Sequence, residues 1–159
     1  MTRRSLSVWG ILTLIVVLFI VPGSAIAKST MTSCTGTETL VDVLDPGIWT
    51  FPDGRIHVRG MVMQYEEVSS CPQLAGINTV TMNANWDANE VGPIWGTARP
   101  ETHDGGVWEV TWTGKTYADG SSAYRAVGHG VAGSVEGLHA QLYATNGEWT
   151  ATILDPHGG

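Results

Sequence analysis

Beyond residue 28, apolar and polar residues alternate singly over most of the chain, and apolar positions do not recur at helical spacing for long. Val80, Met82, Ala84 and Trp86 alternate with Thr79, Thr81, Asn83 and Asn85. Trp108, Val110 and Trp112 alternate with Glu109, Thr111 and Thr113, and Leu138, Ala140, Leu142 and Ala144 with His139, Gln141, Tyr143 and Thr145. Ile56, Val58 and Val62 interleave in the same way with Arg55, His57 and Arg59. One apolar and one polar face is what an antiparallel sheet packed on one side requires. Asp53-Gly54, Asp104-Gly105-Gly106, Asp119-Gly120 and Asn146-Gly147 mark tight turns, because Gly, Asn and Asp accept the positive φ such turns need. These signals predict eight or nine strands, near 37–44, 47–51, 55–65, 78–86, 92–101, 107–117, 122–132, 137–145 and 148–154. The residues around 66–76, with Cys71-Pro72, are expected to form the one long loop, with Glu66-Glu67 a solvated charge pair in it.

Strand length separates two all-β architectures. Immunoglobulin-like sandwiches turn about every 8–12 residues. Here the turns at 104 and 119 enclose one long strand, and consecutive hairpins of such strands predict a single antiparallel up-and-down β-barrel of about eight strands, which also removes the sheet edges. Glycines 128, 130 and 133 fall in a strand region, where glycine weakens the ladder. They are expected to bend the strand, form a bulge, or admit a close approach from across the barrel.

The first 27 residues have a different character. Arg3 and Arg4 precede an apolar run from Val8 to Val21, Pro22-Gly23 interrupts it, and Ala25-Ile26-Ala27 offers small residues at a cleavage site. A spanning helix needs about 20 apolar residues, so the run is short for a permanent anchor. The expected organisation is a cleavable signal peptide over 1–27 and one domain over 28–159, secreted or otherwise extracytoplasmic, with no stable membrane anchor after cleavage. The mature part then carries six basic against fifteen acidic residues, a net −9. Its basic residues are scattered, and that field repels phosphate backbones, so nucleic acid is not an expected partner. Both cysteines, Cys34 and Cys71, lie in this part, and an oxidising compartment allows them one intramolecular bridge. Closing a loop of about 38 residues stabilises a fold by roughly 4 kcal/mol in the chain-entropy model.

The run from Gly105 through Val107-Trp108-Glu109-Val110-Thr111-Trp112 to Gly114, followed by Gly128-His129-Gly130 and Glu136-Gly137-Leu138, resembles the small β-barrels related to allene oxide cyclase and the dirigent proteins, within the calycin-like barrels. The likeness covers roughly residues 54 to 154 and rests on glycine and tryptophan spacing. It implies a closed barrel and an apolar cavity of the kind in which those proteins steer cyclisation or coupling of a reactive substrate. None of their active-site residues can be matched to positions here, and one barrel hosts several functions.

An eight-stranded barrel is either filled by its side chains or just wide enough for one small ligand. The inward-facing candidates are Val80, Met82, Trp86, Trp108, Val110, Trp112, Leu138, Ala140 and Leu142, of which Trp86, Trp108, Trp112, Leu138 and Leu142 are the candidate contacts for a small apolar guest. The small residues Ala126, Gly128 and Gly130 leave room for it. Arg125 and His129 admit two placements. If the 133–137 turn centres on Ser134, His129 faces His139 on the outer face, forming half of a metal site. A turn one residue different flips every side chain and brings Arg125 and His129 inside. In that frame Arg125, His129 and Glu136 are the candidate catalytic groups. No His-x-His, His-Glu-x-x-His, Gly-x-Ser-x-Gly, phosphate-loop or dinucleotide motif occurs, so neither a metal nor a cofactor is expected. Three classes of function stay open: a binding barrel for a small apolar or amphipathic molecule, a cyclase or isomerase using the same cavity, and a packed envelope protein with no ligand. A polar group buried among the interior aromatics would favour the enzyme.

Overall fold

The computed structural model describes residues 28–158, and the expected signal peptide over residues 1–27 lies outside them. Nine strands follow in order: β1 (Thr30–Asp45), β2 (Ile48–Thr50), β3 (Ile56–Ser69), β4 (Gly76–Trp86), β5 (Gly92–Thr102), β6 (Val107–Thr116), β7 (Ser122–Ala132), β8 (His139–Thr145) and β9 (Glu148–Asp155). From β3 to β9 each strand pairs antiparallel with the next, and β1 closes the circle by pairing with both β9 and β3. The result is a closed eight-stranded up-and-down barrel. The ninth strand, β2, lies beside β1 on the same edge of β3, against His57–Arg59.

The hairpins are short because their turn residues allow it. Asp87–Val91, Thr102–Gly106 and Tyr117–Ser121 share one design, in which the first residue's N–H donates to the fifth residue's carbonyl and the fourth residue's N–H to the first residue's carbonyl. The fourth position holds Glu90, Gly105 or Gly120, each with positive φ. Asn146 and Gly147 both take positive φ in the β8–β9 turn, as a two-residue hairpin demands.

Two strands depart from expectation. β1 begins seven residues early, because the polar stretch from Thr30 has no alternation to reveal it and becomes a strand only by pairing with β9. β3 runs on to Ser69, so the loop before β4 is short and holds a 3-10 turn, Pro72–Leu74. The register of β3 slips between Val58 and Met61, where Gly60 has φ +68°. That extra residue reverses the parity of everything after it. Val58 is buried, but beyond the bulge Met63 and Glu67 are buried rather than Val62. Glu67 is therefore an interior residue of a strand, and only Glu66 is solvated.

One end of the barrel is plugged. The Cys34–Cys71 disulfide ties β1 to the β3–β4 connection, with both cysteines buried beside Leu74, Trp108 and Val135. The Trp108 indole N–H donates to the Gln73 carbonyl at 2.8 Å. The 3-10 turn Gly133–Val135 folds over the same end, and Gly130 is required there because a Cβ would collide with the Val135 carbonyl. Of the three glycines expected to bend or admit, Gly130 admits, Gly133 turns with φ +67°, and Gly128 faces inward against Val110 and Trp108. A second apolar cluster, with Val58, Met63, Val80, Ile94 and Trp112, packs the wall made by β3 to β6.

Removing the disulfide by Cys34→Ala with Cys71→Ala is expected to cost roughly 4 kcal/mol, which at an m-value near 2 kcal/mol/M lowers the urea midpoint by about 2 M. An unchanged midpoint would mean that strand pairing alone holds β1.

Candidate functional site

Between the two apolar clusters lies a cavity of about 330 Å³. Trp86, Trp108, Trp112, Val80, Met82, Val110, Ala140 and Leu142 line it, as the alternation predicts, while Leu138 packs in the plugged end instead. Space exists because several interior positions are small: Ala98, Ala126, Gly128, Ala140 and Ala151. The cavity reaches the unplugged end of the barrel at Thr116, Gly120 and Ser122, around the β6–β7 hairpin.

One wall of this apolar space is polar. Glu38 on β1 and Glu67 on β3 are direct cross-strand partners, and both line the cavity. Like charges placed opposite each other destabilise a sheet, so this pairing opposes the fold. Tyr124, inward on β7, donates its hydroxyl to Glu38 Oε2 at 2.6 Å. Asn78, on β4 opposite Tyr65, donates its amide to Glu67 Oε1 at 2.6 Å. Glu67 and Asn78 are each only 8% exposed, and Asn78 Oδ1 has no hydrogen-bond partner. The Trp86 indole N–H is also unpartnered. Among the described residues no Lys, Arg or His lines the cavity.

The electrostatics follow from that isolation. Burial pushes the Glu67 carboxyl up to about 7, the Asn78 hydrogen bond opposes the rise, and the charge of Glu38 adds to it. Glu38 is raised by burial too, against the pull of the Tyr124 hydroxyl. Burial, then the charge of Glu38, holds the Tyr65 and Tyr124 phenols above their ordinary value, so both keep their protons. A group near 7 lining an apolar cavity can give or take a proton at neutral pH.

Arg125 and His129 take the outward frame. His129 pairs with His139 across β7 and β8, ring centroids 6.4 Å apart, and both are exposed. Arg125 shares that outer face, and Glu136 is exposed just past the Gly133–Val135 turn. The sheet separates Arg125 and His129 from the cavity and from Glu38 and Glu67, and Glu136 lies outside it at the plugged end. Among the described residues no group of three His, Cys, Asp or Glu side chains is placed to hold a metal ion. Glu38, Tyr65, Glu67, Asn78 and Tyr124 were not among the sequence candidates. A signal existed for Asn78 and Tyr124, which continue the inward parity of Val80 and of Ala126, whereas Glu67 was hidden by the bulge.

No protein-family model matches the chain, and no curated protein or solved structure is matched either.

Glu67 has a consequence for stability. Its folded-state pKa lies above its ordinary value, so the folded state holds the proton more tightly. Its contribution is full below about pH 4.5 and is lost as pH rises through about 7, a fall of roughly 3 kcal/mol. Glu67→Gln keeps the amide hydrogen bond and is expected to remove most of that fall, making the variant more stable than the parent at pH 8. Urea midpoints at pH 5 and pH 8 measure it, and equal slopes for parent and variant would place the carboxyl in water.

Proposed function

We propose that this protein holds a small amphipathic molecule inside its barrel, with the guest's apolar body against Trp86, Trp108, Trp112 and Leu142. The observation that carries this reading is the cavity itself: apolar walls, one polar corner with an unpartnered acceptor, and an open end. Its volume is at the lower end of the range for ligand pockets, which are mostly apolar with a few convergent polar groups. The likeness to the allene oxide cyclase and dirigent barrels, whose members work on substrates in such a cavity, supports it. The buried disulfide and the N-terminal pattern support an extracytoplasmic setting.

A second reading draws on Glu67. A carboxyl pushed to about 7 beside a substrate-sized space suits the proton transfers of a cyclase or isomerase, with Asn78 positioning it. The outward placement of Arg125 and His129 removes them from that chemistry and leaves Glu67 and Glu38 as its candidate groups.

Native mass spectrometry of the protein purified from its source is expected to show an adduct that leaves on denaturation. As a direct check, the neutral fluorophore N-phenyl-1-naphthylamine should brighten on binding and quench the emission of the lining tryptophans. Ala126→Trp, which fills the cavity, should abolish both effects. A probe that binds parent and variant equally would place the binding outside the barrel. The recovered guest, added back, returns unaltered if the protein only binds. It returns isomerised, with the same mass and a new retention time, if the second reading holds, and Glu67→Gln then ends the conversion.

A further inference from the structure

Three kinds of hydrogen-bonding atom meet in the polar corner, and their balance is uneven. Glu38 and Glu67 bring four carboxylate oxygens, of which Tyr124 and Asn78 occupy two, and Asn78 Oδ1 adds an acceptor with no partner. Of the other donors lining the cavity, the Tyr65 hydroxyl is turned to the Met63 sulfur at 3.5 Å and the Trp86 indole N–H has no partner. The corner holds more acceptors than donors, and among the described residues lining the cavity none carries a positive charge.

A buried charge pair of one sign is strongly disfavoured unless something neutralises it. Its surroundings suit one kind of counter-charge. Trp112 and Tyr124 stack edge to face with centroids 5.8 Å apart, bringing aromatic surface next to the Glu38 carboxylate. Aromatic faces stabilise alkylammonium groups, particularly where water is excluded. Among the described residues no three His, Cys, Asp or Glu side chains converge to hold a metal ion there. Resting on the binding reading above, the geometry points to a guest whose polar end is an organic cation, an alkyl- or arylalkylammonium whose N–H groups donate to Glu38, Glu67 and Asn78.

The groups facing that end come from four strands: Glu38 on β1, Tyr65 and Glu67 on β3, Asn78 on β4 and Tyr124 on β7. The tyrosines stay protonated, so only the two carboxyls titrate below pH 9. An ammonium binds their ionised form, so binding strengthens as pH rises from 5.5 to 8 and releases protons near neutrality. A neutral guest of the same shape shows the opposite or no trend.

Isothermal titration of the purified protein with 4-phenylbutylammonium, 4-phenylbutanol and 4-phenylbutyrate separates charge from shape. At pH 8 the ammonium is expected to bind at least about tenfold tighter than the alcohol, the margin of one charge-assisted contact, and the carboxylate more weakly than either. Glu38→Gln and Glu67→Gln should each reduce the ammonium-to-alcohol ratio to within about threefold, and the ratio in the parent should fall between pH 8 and pH 5.5. Should either variant fail to fold, the pH series on the parent carries the same test. Equal or tighter binding of the alcohol, or a ratio indifferent to pH, overturns the cation and leaves the calyx standing. If none of the three binds, the calyx reading falls with it.

Discussion

Closure of the barrel rests on one strand making two ladders. β1 pairs with β9 over Thr30–Thr37 and with β3 over Gly36–Asp45, so its sixteen residues join the first and last parts of the sheet. Where the two ladders overlap, Gly36 lies under the Trp149 indole, and a Cβ there would collide with the ring and with the Val68 carbonyl. The disulfide starts from the same stretch of β1 and fixes it to the loop that plugs the barrel. Without this strand the sheet would present two open edges and the cavity would lack one side of its polar wall.

The wall is costly to the fold, and its cost bears on function. An unpartnered buried acceptor such as Asn78 Oδ1 forfeits roughly 1–3 kcal/mol, and opposed like charges cost more. Apolar residues at 38, 67 and 78 would relieve both and would fill a space that small residues at 98, 126, 140 and 151 otherwise leave open. A barrel built only to be stable would be packed like its plugged end, where Trp108 is 1% exposed and its indole N–H is satisfied. Among the described residues three buried polar side-chain atoms lack a partner: Asn78 Oδ1 and the Trp86 indole N–H line the cavity, and the Trp149 indole N–H lies in the cluster at the plugged end.

Most of the architecture was legible from alternation and turn chemistry, since a period of two and paired Asp/Asn-Gly signals report directly on hairpins. The inward set on β4, β6 and β8 was readable for the same reason: those strands keep one parity throughout. What failed was anything that depended on long-range pairing. The polar N-terminal half of β1 has no pattern of its own, and the choice between two frames for His129 turned on a single turn residue. Glu67 was placed in a loop because a local reading expects two adjacent glutamates to seek water. Its burial follows only from the bulge at Gly60, about 23 Å of strand before it.

That bulge has a wider meaning. In a pleated strand an added residue moves everything downstream to the other side unless a bulge absorbs it, as the one at Gly60 does. Deleting Gly60 would let Met61 follow Arg59 in regular alternation, so Met63, Tyr65 and Glu67 would still face the interior, whereas keeping the residue and straightening the bulge would turn Val62, Gln64 and Glu66 inward. β1 carries two further slips opposite the same segment, between Leu40 and Asp42 and between Val43 and Asp45. The lining of such a barrel can thus be exchanged as a block by straightening a strand at its irregular point, without any substitution at the positions that make contact. Relatives with nearly the same residues would hold quite different interiors if one kept the bulge in β3 and another straightened it, while a one-residue gap at the bulge itself would leave the interior unchanged.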